Sequence, residues 1–288
     1  MNLDLIMKNR LCFVPILSAA IALSLLGVFR IASAEAAQKL NVVLILADDY
    51  GWTDLSCYGS QFYETPNLDQ LARDGMKFTQ AYSACTVCSP TRGAIMTGKY
   101  PARTHITDWI PGLPPGNPIL SEPPWTKFLP LTEISIGRAF RNAGYTTASI
   151  GKWHLGGEEY YPDKQGFDLN IAGTDAPDPR TYFAPYNIAT LKEGPTGEYI
   201  TDRLGDEVEK FIEANKTKPF FIYFPHFAVH LPLQAKKEII AKYEKKIQTG
   251  SAQTNAIYAA MIESMDDTVG RIRRKLDELK LADNTLIV

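Results

Sequence analysis

The residues that most directly suggest chemistry form one run: Cys85-Thr86-Val87-Cys88-Ser89-Pro90-Thr91-Arg92-Gly93, continuing in residues 94–98 to a glycine. Pro90 suits the first turn of a helix, and Gly98 suits its C-terminal end. Cys88 then lies at a helix N-terminus, where free N–H groups and the positive end of the dipole favour a negative group. Arg92, four residues on, falls on the same face. The arrangement reads as an anion site holding a reactive side chain. Two other readings stand beside it. One is a buried structural cysteine ahead of a helix. The other is Cys85-x-x-Cys88 as a redox or metal pair, for which no second pair of ligands follows.

Three further groups could serve such a site. Asp48 and Asp49 follow a continuous apolar run. Adjacent carboxylates there read as a helix cap or solvated turn, or as a hard-cation site, since ligands gather at the carboxyl ends of strands in open α/β sheets. Lys152 and His154 follow a second strand-like run and, two residues apart at its end, point the same way. His226 and His230 follow a third, with His226 reading as structural. His105 lies in a Pro- and Gly-rich loop and reads as a surface histidine.

The elements that must position these groups are legible from periodicity. Residues 40–47, 145–150 and 220–224 are β-branched or aromatic runs expected as buried strands, and 286–288 begin another. Residues 76–83 read as a strand delivering the chain to Cys88. Helices are expected over 65–75, with a Thr cap and Pro at the first position, and over 135–142, 200–215 and 251–280. Residues 100–130 and 157–198 read as loops, the second as a substrate-facing insertion.

These motifs resemble those of the type I sulfatases of the alkaline phosphatase superfamily. Cys88-Ser89-Pro90-Thr91-Arg92 looks like the family's C-x-P-x-R signature. The run from Asn41 to Trp52 is similar to its first strand and Asp-Asp pair, and Gly144 through Gly156 to its Gly-Tyr-Thr-Thr…Gly-Lys-Trp-His signature. His230, in His-x-Pro, matches a fourth position. The resemblance implies an α/β fold: a mostly parallel mixed sheet with helices on both faces. It implies conversion of Cys88 to formylglycine by a maturation enzyme, the hydrated aldehyde being the nucleophile. Asp48, Asp49 and the oxygen at position 88 would bind Ca2+. Arg92 and Lys152 would offer positive charge to the diol and sulfate oxygens. His154 would assist the second hydroxyl, and His230 would contact the sulfate and protonate the leaving group.

The resemblance covers residues 41–288, but family members continue into further calcium ligands, another lysine and a smaller C-terminal subdomain that this sequence lacks. The expectation is therefore an incomplete catalytic domain over 35–288 with impaired hydrolysis of a sulfate monoester, on a sulfated small molecule or carbohydrate. A phosphonate or phosphate ester hydrolase of the same superfamily, or an inactive remnant, is the alternative.

Lys8 and Arg10 precede an apolar stretch over 11–29, and Ala32-Ser33-Ala34 is a small-x-small cleavage site. Residues 1–34 therefore read as a secretory signal, giving an exported, periplasmic or secreted protein with no stable membrane span after cleavage. Cys57, Cys85 and Cys88 then remain; if Cys88 is modified, Cys57 and Cys85 are left as a potential pair. A net charge of −2 with no basic run argues against nucleic acid as a partner.

Overall fold

Every strand of the sheet runs parallel to its neighbours, and the reason is visible in how completely the strands are covered. The computed structural model describes residues 39–113, 123–250 and 252–288; the signal reading over 1–34 lies outside them. Strand β1 (Asn41–Leu46) is followed by helix α1 (Pro66–Asp74), helix α2 (Cys88–Thr97) and the single turn α3 (Pro101–Thr104). Helix α4 (Ile136–Asn142), strands β2 (Thr146–Ile150) and β3 (Leu169–Ile171), and helix α5 (Ile200–Asn215) come next. Strand β4 (Phe220–Pro225), helices α6 (Lys237–Glu244) and α7 (Ala256–Glu278) and strand β5 (Thr285–Ile287) complete the described strands and α-helices. The strand order is β3-β2-β4-β1-β5.

Strand alternation divides the core into two layers. Phe220, Ile222 and Phe224 join Val43, Ala148 and the apolar faces of α5 and α7 on one side. Phe221 and Tyr223 join Leu44, Leu46, Met96 of α2 and Phe140 of α4 on the other. With β4 buried along its whole length, its sequence has no polar face to show. The expected α/β sheet with helices on both faces is present, and its described strands are all parallel.

The departures have physical causes. Residues 76–83 form no strand: Met76 and Tyr82 are 76% and 86% exposed, and no neighbouring ladder pairs with them, so an alternating pattern without a partner stays irregular. Residues 157–198 are not simply a substrate-facing insertion. They supply β3 and bury Tyr182 and Tyr186 in the core. The Tyr182 hydroxyl bonds to the carbonyls of Phe227 (2.7 Å) and His230 (2.8 Å), so the segment props the chain that follows β4. Thr65 does not cap α1 with its side chain. Asp266, buried on α7, accepts from the N–H groups of Asn67 (3.1 Å) and Leu68 (2.7 Å) instead. Helix α7 starts later than its periodicity suggests because Asn255 caps it, accepting from the Tyr258 N–H.

His226 behaves as a core residue. It is fully buried against the Phe224 ring, with centroids 4.1 Å apart, and neither ring nitrogen has a hydrogen-bond partner among the described residues. Burial pushes its pKa down to about 3 from 6.5. It is therefore neutral when folded and takes up a proton on unfolding below pH 6.5. Its contribution to stability is intact above that pH and is lost as pH falls toward 3. His226→Phe is expected to flatten the loss between pH 6.5 and 5 by about 1.4 kcal/mol per pH unit, as measured by urea titrations at several pH values.

Candidate active site

The candidate groups gather at the carboxyl ends of β1, β2 and β4, where loops leave the sheet. Cys88 is the first residue of α2, after Val87 in extended conformation, so the expected helix N-terminus is present. Gly98 ends that helix in the left-handed region at φ 66°. The Ser89 hydroxyl accepts from the Ile110 N–H (3.0 Å), and Thr91 Oγ1 donates to the Cys85 carbonyl (2.9 Å). These bonds pin the start of the helix to the loops on either side.

Arg92 leaves the second turn of α2 and is almost completely buried. Its Nη1 donates to the Lys152 carbonyl (2.8 Å), and its Nη2 lies 3.1 Å from Asp48 Oδ1. Lys152 Nζ reaches the other oxygen of the same carboxylate at 2.5 Å. One buried carboxylate thus holds two buried cations. Burial disfavours the Asp48 charge, but Arg92 and Lys152 outweigh it and hold its pKa below the usual carboxylate value. Burial and the neighbouring Arg92 lower that of Lys152 despite Asp48.

The chain reaches this arrangement through a backbone only glycine can adopt. Gly151 ends β2 at φ +126°, and a Cβ there would stand 1.9 Å from the Pro225 carbonyl oxygen. The same oxygen accepts from the Lys152 N–H (2.9 Å), so β2 and β4 close together beneath the cluster. Gly151→Ala is expected to destabilise by about 3 kcal/mol or more and to lower the thermal midpoint accordingly, read by circular dichroism.

His154, two residues on, is buried with φ +57°, and Asp49 has φ +54°. Non-glycine residues in this region are strained and concentrate at functional sites. His154 Nε2 is bonded to the Ile110 carbonyl. A carbonyl only accepts, so Nε2 carries the hydrogen and Nδ1 the lone pair; Nδ1 is buried with no partner among the described residues. Burial, reinforced by the Lys152 charge, pushes the His154 pKa down to about 3. His230 lies at the open end, with Nε2 3.6 Å from Asp49 Oδ2 and Nδ1 3.0 Å from the Leu231 carbonyl.

The groups are not all equally accessible. Asp48, Asp49, Cys85, Cys88, Thr91 and Arg92 line one cleft of about 360 Å³. Lys152 and His154 stand behind it, fully buried, and His230 stands beside Asp49. His105 is exposed, as expected of a surface residue. Cys57, Cys85 and Cys88 are all free, so the potential Cys57–Cys85 disulfide does not form. Among the described residues no three His, Cys, Asp or Glu side chains converge as a metal cluster. The oxygen donors of Asp48 and Asp49 suit a hard cation in chemistry. They fall short of its usual six to eight ligands, and Asp48 is already engaged by Arg92 and Lys152.

Tyr223 was not evident from the sequence. It is buried on β4 on the α2 side of the sheet, where burial raises the pKa of its phenol against the opposing effect of Arg92. The only signal for it is a lone hydroxyl within an otherwise apolar strand.

Comparison with known proteins bears on residues 40–288, which match the Sulfatase family model. The chain is 31% identical to a sulfatase of Formosa agariphila, over 88% of this chain and 57% of that protein. It is 30% identical to human N-acetylgalactosamine-6-sulfatase, over 88% and 49% respectively. Among solved structures it is similar to Ps i-CgsB in complex with k-i-k-neocarrahexaose, with a TM-score of 0.72 at 32% identity, covering 87% of this chain and 57% of that one. The chain thus spans about half the length of the relatives it matches.

Proposed function

Because the chain belongs to the sulfatase family, we propose that its cleft serves hydrolysis of a sulfate monoester, with the side chain at position 88 as nucleophile after conversion to formylglycine. The observation that carries this reading is the single cleft in which Cys88 begins a helix beside Arg92 and Asp48. The modified side chain would supply a hydrated aldehyde, one oxygen of which displaces the alcohol from sulfur. Asp48, Asp49 and that oxygen would hold calcium, which when bound polarises the sulfate. Two carboxylates and that oxygen supply part of its usual shell of six to eight oxygens.

The chain's own residues then have distinct tasks. Arg92 holds the charge beside position 88, with its guanidinium locked between Asp48 and the Lys152 carbonyl. Lys152 neutralises Asp48 from behind and adds positive potential where sulfate oxygens gather. His154 presents a neutral Nδ1 lone pair, suited to accept a hydrogen bond from the second hydroxyl. His230, on a backbone held by Tyr182, stands at the open end, where an alcohol leaves and needs a proton.

A sulfated carbohydrate is the substrate class we favour, supported by relatives named for an N-acetylgalactosamine sulfate and bound to a carrageenan-derived sugar. A formylglycine-generating enzyme would be a transient partner. Residues 1–34 would direct export. No described helix is long and apolar enough to cross a membrane.

The test pairs an aryl sulfate with the matching aryl phosphate, using protein produced together with a formylglycine-generating enzyme, and adds mass spectrometry of the peptide carrying position 88. Cleavage of the sulfate ester with loss of sulfur at that position is expected. Preference for the phosphate, or turnover with the thiol intact, would sink the reading.

A further inference from the structure

The loop that carries Asp49 is held at both ends. At its start, the Asp48 N–H donates to the Ala228 carbonyl (2.9 Å) and the Val229 N–H to the Asp48 carbonyl (2.7 Å). These bonds fasten it to the chain after β4. At its end stands Asp54. Residues 48–51 line the cleft, and Asp54 does not.

All the polar groups of Asp54 are engaged. Its N–H donates to the Gly51 carbonyl (3.0 Å), and its carbonyl accepts from the Tyr50 hydroxyl (2.9 Å). Oδ2 accepts from the Gly51 N–H (3.2 Å) and from the Tyr258 hydroxyl of α7 (2.7 Å). Oδ1 accepts from Nε2 of Gln253 (3.3 Å), just ahead of α7. The Ser60 hydroxyl, donating to Gln253 Oε1 at 2.8 Å, turns that amide the right way. The approach is so close that a Cβ at Gly51 would stand 2.6 Å from Asp54 Oδ2.

Tyr258 reaches further. Its hydroxyl also lies 3.3 Å from the Asp49 carbonyl oxygen, so one phenol touches both ends of the turn. Its ring packs edge-on against Tyr63, with centroids 5.6 Å apart, which fixes where the hydroxyl sits. Asp49 holds a left-handed backbone at φ +54°, a conformation that persists only where the surroundings impose it. Its carboxylate is more than half exposed, so its direction is set by the backbone beneath it rather than by packing.

We propose that Asp54 and Tyr258 are positioning residues for Asp49: together they clamp the turn after β1 onto α7 and so aim the Asp49 carboxylate into the cleft. Neither touches substrate or the reacting atoms. The clamp stands on the contacts alone, whereas its catalytic consequence rests on the sulfatase reading above.

Amide exchange of the full chain, followed by mass spectrometry of peptides covering residues 47–55, measures the clamp. Tyr258→Phe removes one hydroxyl and keeps the ring. It should speed exchange in that segment roughly tenfold or more, and Asp54→Ala should do the same. With aryl sulfate and calcium, Tyr258→Phe should lower kcat about tenfold and change KM less than about twofold, because Asp49 serves the reacting sulfate and not the rest of the ester. Tyr243→Phe is the comparison. That hydroxyl, on α6, accepts from the Glu64 N–H (3.2 Å), a bond that does not involve the turn. Its loss should lower the thermal midpoint and leave both the loop exchange and kcat as they were. Unchanged exchange over 47–55 in Tyr258→Phe and Asp54→Ala overturns the proposal, as does an equal effect of Tyr243→Phe on both readouts. Faster exchange with kcat unchanged overturns the positioning role. Absence of hydrolysis in the unsubstituted chain would count against the sulfatase reading and leave the exchange measurement to decide the clamp.

Discussion

Cys88→Ala is expected to remove sulfate-ester hydrolysis by roughly 10⁴-fold or more, to the uncatalysed background, with stability changed by less than about 1 kcal/mol. The asymmetry follows from what surrounds the residue. The Cys88 side chain is half-buried and free, so removing the thiol leaves no cavity of consequence. The bonds that hold the start of α2 come from Ser89, Thr91 and Arg92, and all of them survive. Under the proposed mechanism, only the reacting atom is lost. Cys88→Ser sharpens the point, because serine offers a single hydroxyl where the proposed hydrated aldehyde would offer two. It has no second O–H from which release of sulfate can be driven, so steady turnover should be absent in this variant too. A fluorogenic aryl sulfate assay, with thermal midpoints measured on the same samples, checks both halves. Substantial residual turnover in Cys88→Ala would show that the nucleophile is elsewhere.

How much of this was legible in advance depends on range. Local signals carried well: Pro90 and Gly98 bracket α2, the amphipathic periodicity of residues 200–215 gives α5, and the β-branched run before Asp48 gives β1. Burial of β4 on both faces followed from its lack of any polar alternation, and that same feature concealed Tyr223, since one hydroxyl in an aromatic run carries no sign of what it faces. The failures are of one kind. Residues 76–83 alternate like a strand, but a strand exists only with a ladder partner. Thr65 has the right type for a cap, yet Asp266 arrives from about 200 residues away along the chain and takes the role. The positions of Asp48, Lys152 and His154 at strand ends could be anticipated, but not that one carboxylate would bind both cations. That depends on the glycine at 151 letting two strand ends meet.

The shared carboxylate makes Asp48→Asn the substitution with the largest expected effect on stability. The change is isosteric, so packing is preserved and the effect is electrostatic. In its absence Arg92 and Lys152, both essentially buried, face each other with no counter-charge, and breaking a buried ion pair from one side costs about 3–5 kcal/mol. The deficit should depend on pH with a definite sign. Lys152 already has its pKa lowered from 10.5, by burial first and Arg92 next, and losing Asp48 removes what opposes that shift. A lysine depressed in the folded state destabilises where it is charged when unfolded. The penalty is therefore full at neutral pH and fades as pH rises toward 10.5, where the neutral amine no longer repels the guanidinium. Urea unfolding of Asp48→Asn at pH 7 and pH 9.5 should show the gap to the unsubstituted chain narrowing at the higher pH. Pairing it with Lys152→Met should recover much of the loss at pH 7, because one cation without its anion is easier to accommodate than two. A gap that stays constant with pH would mean that Lys152 is not the charge left stranded.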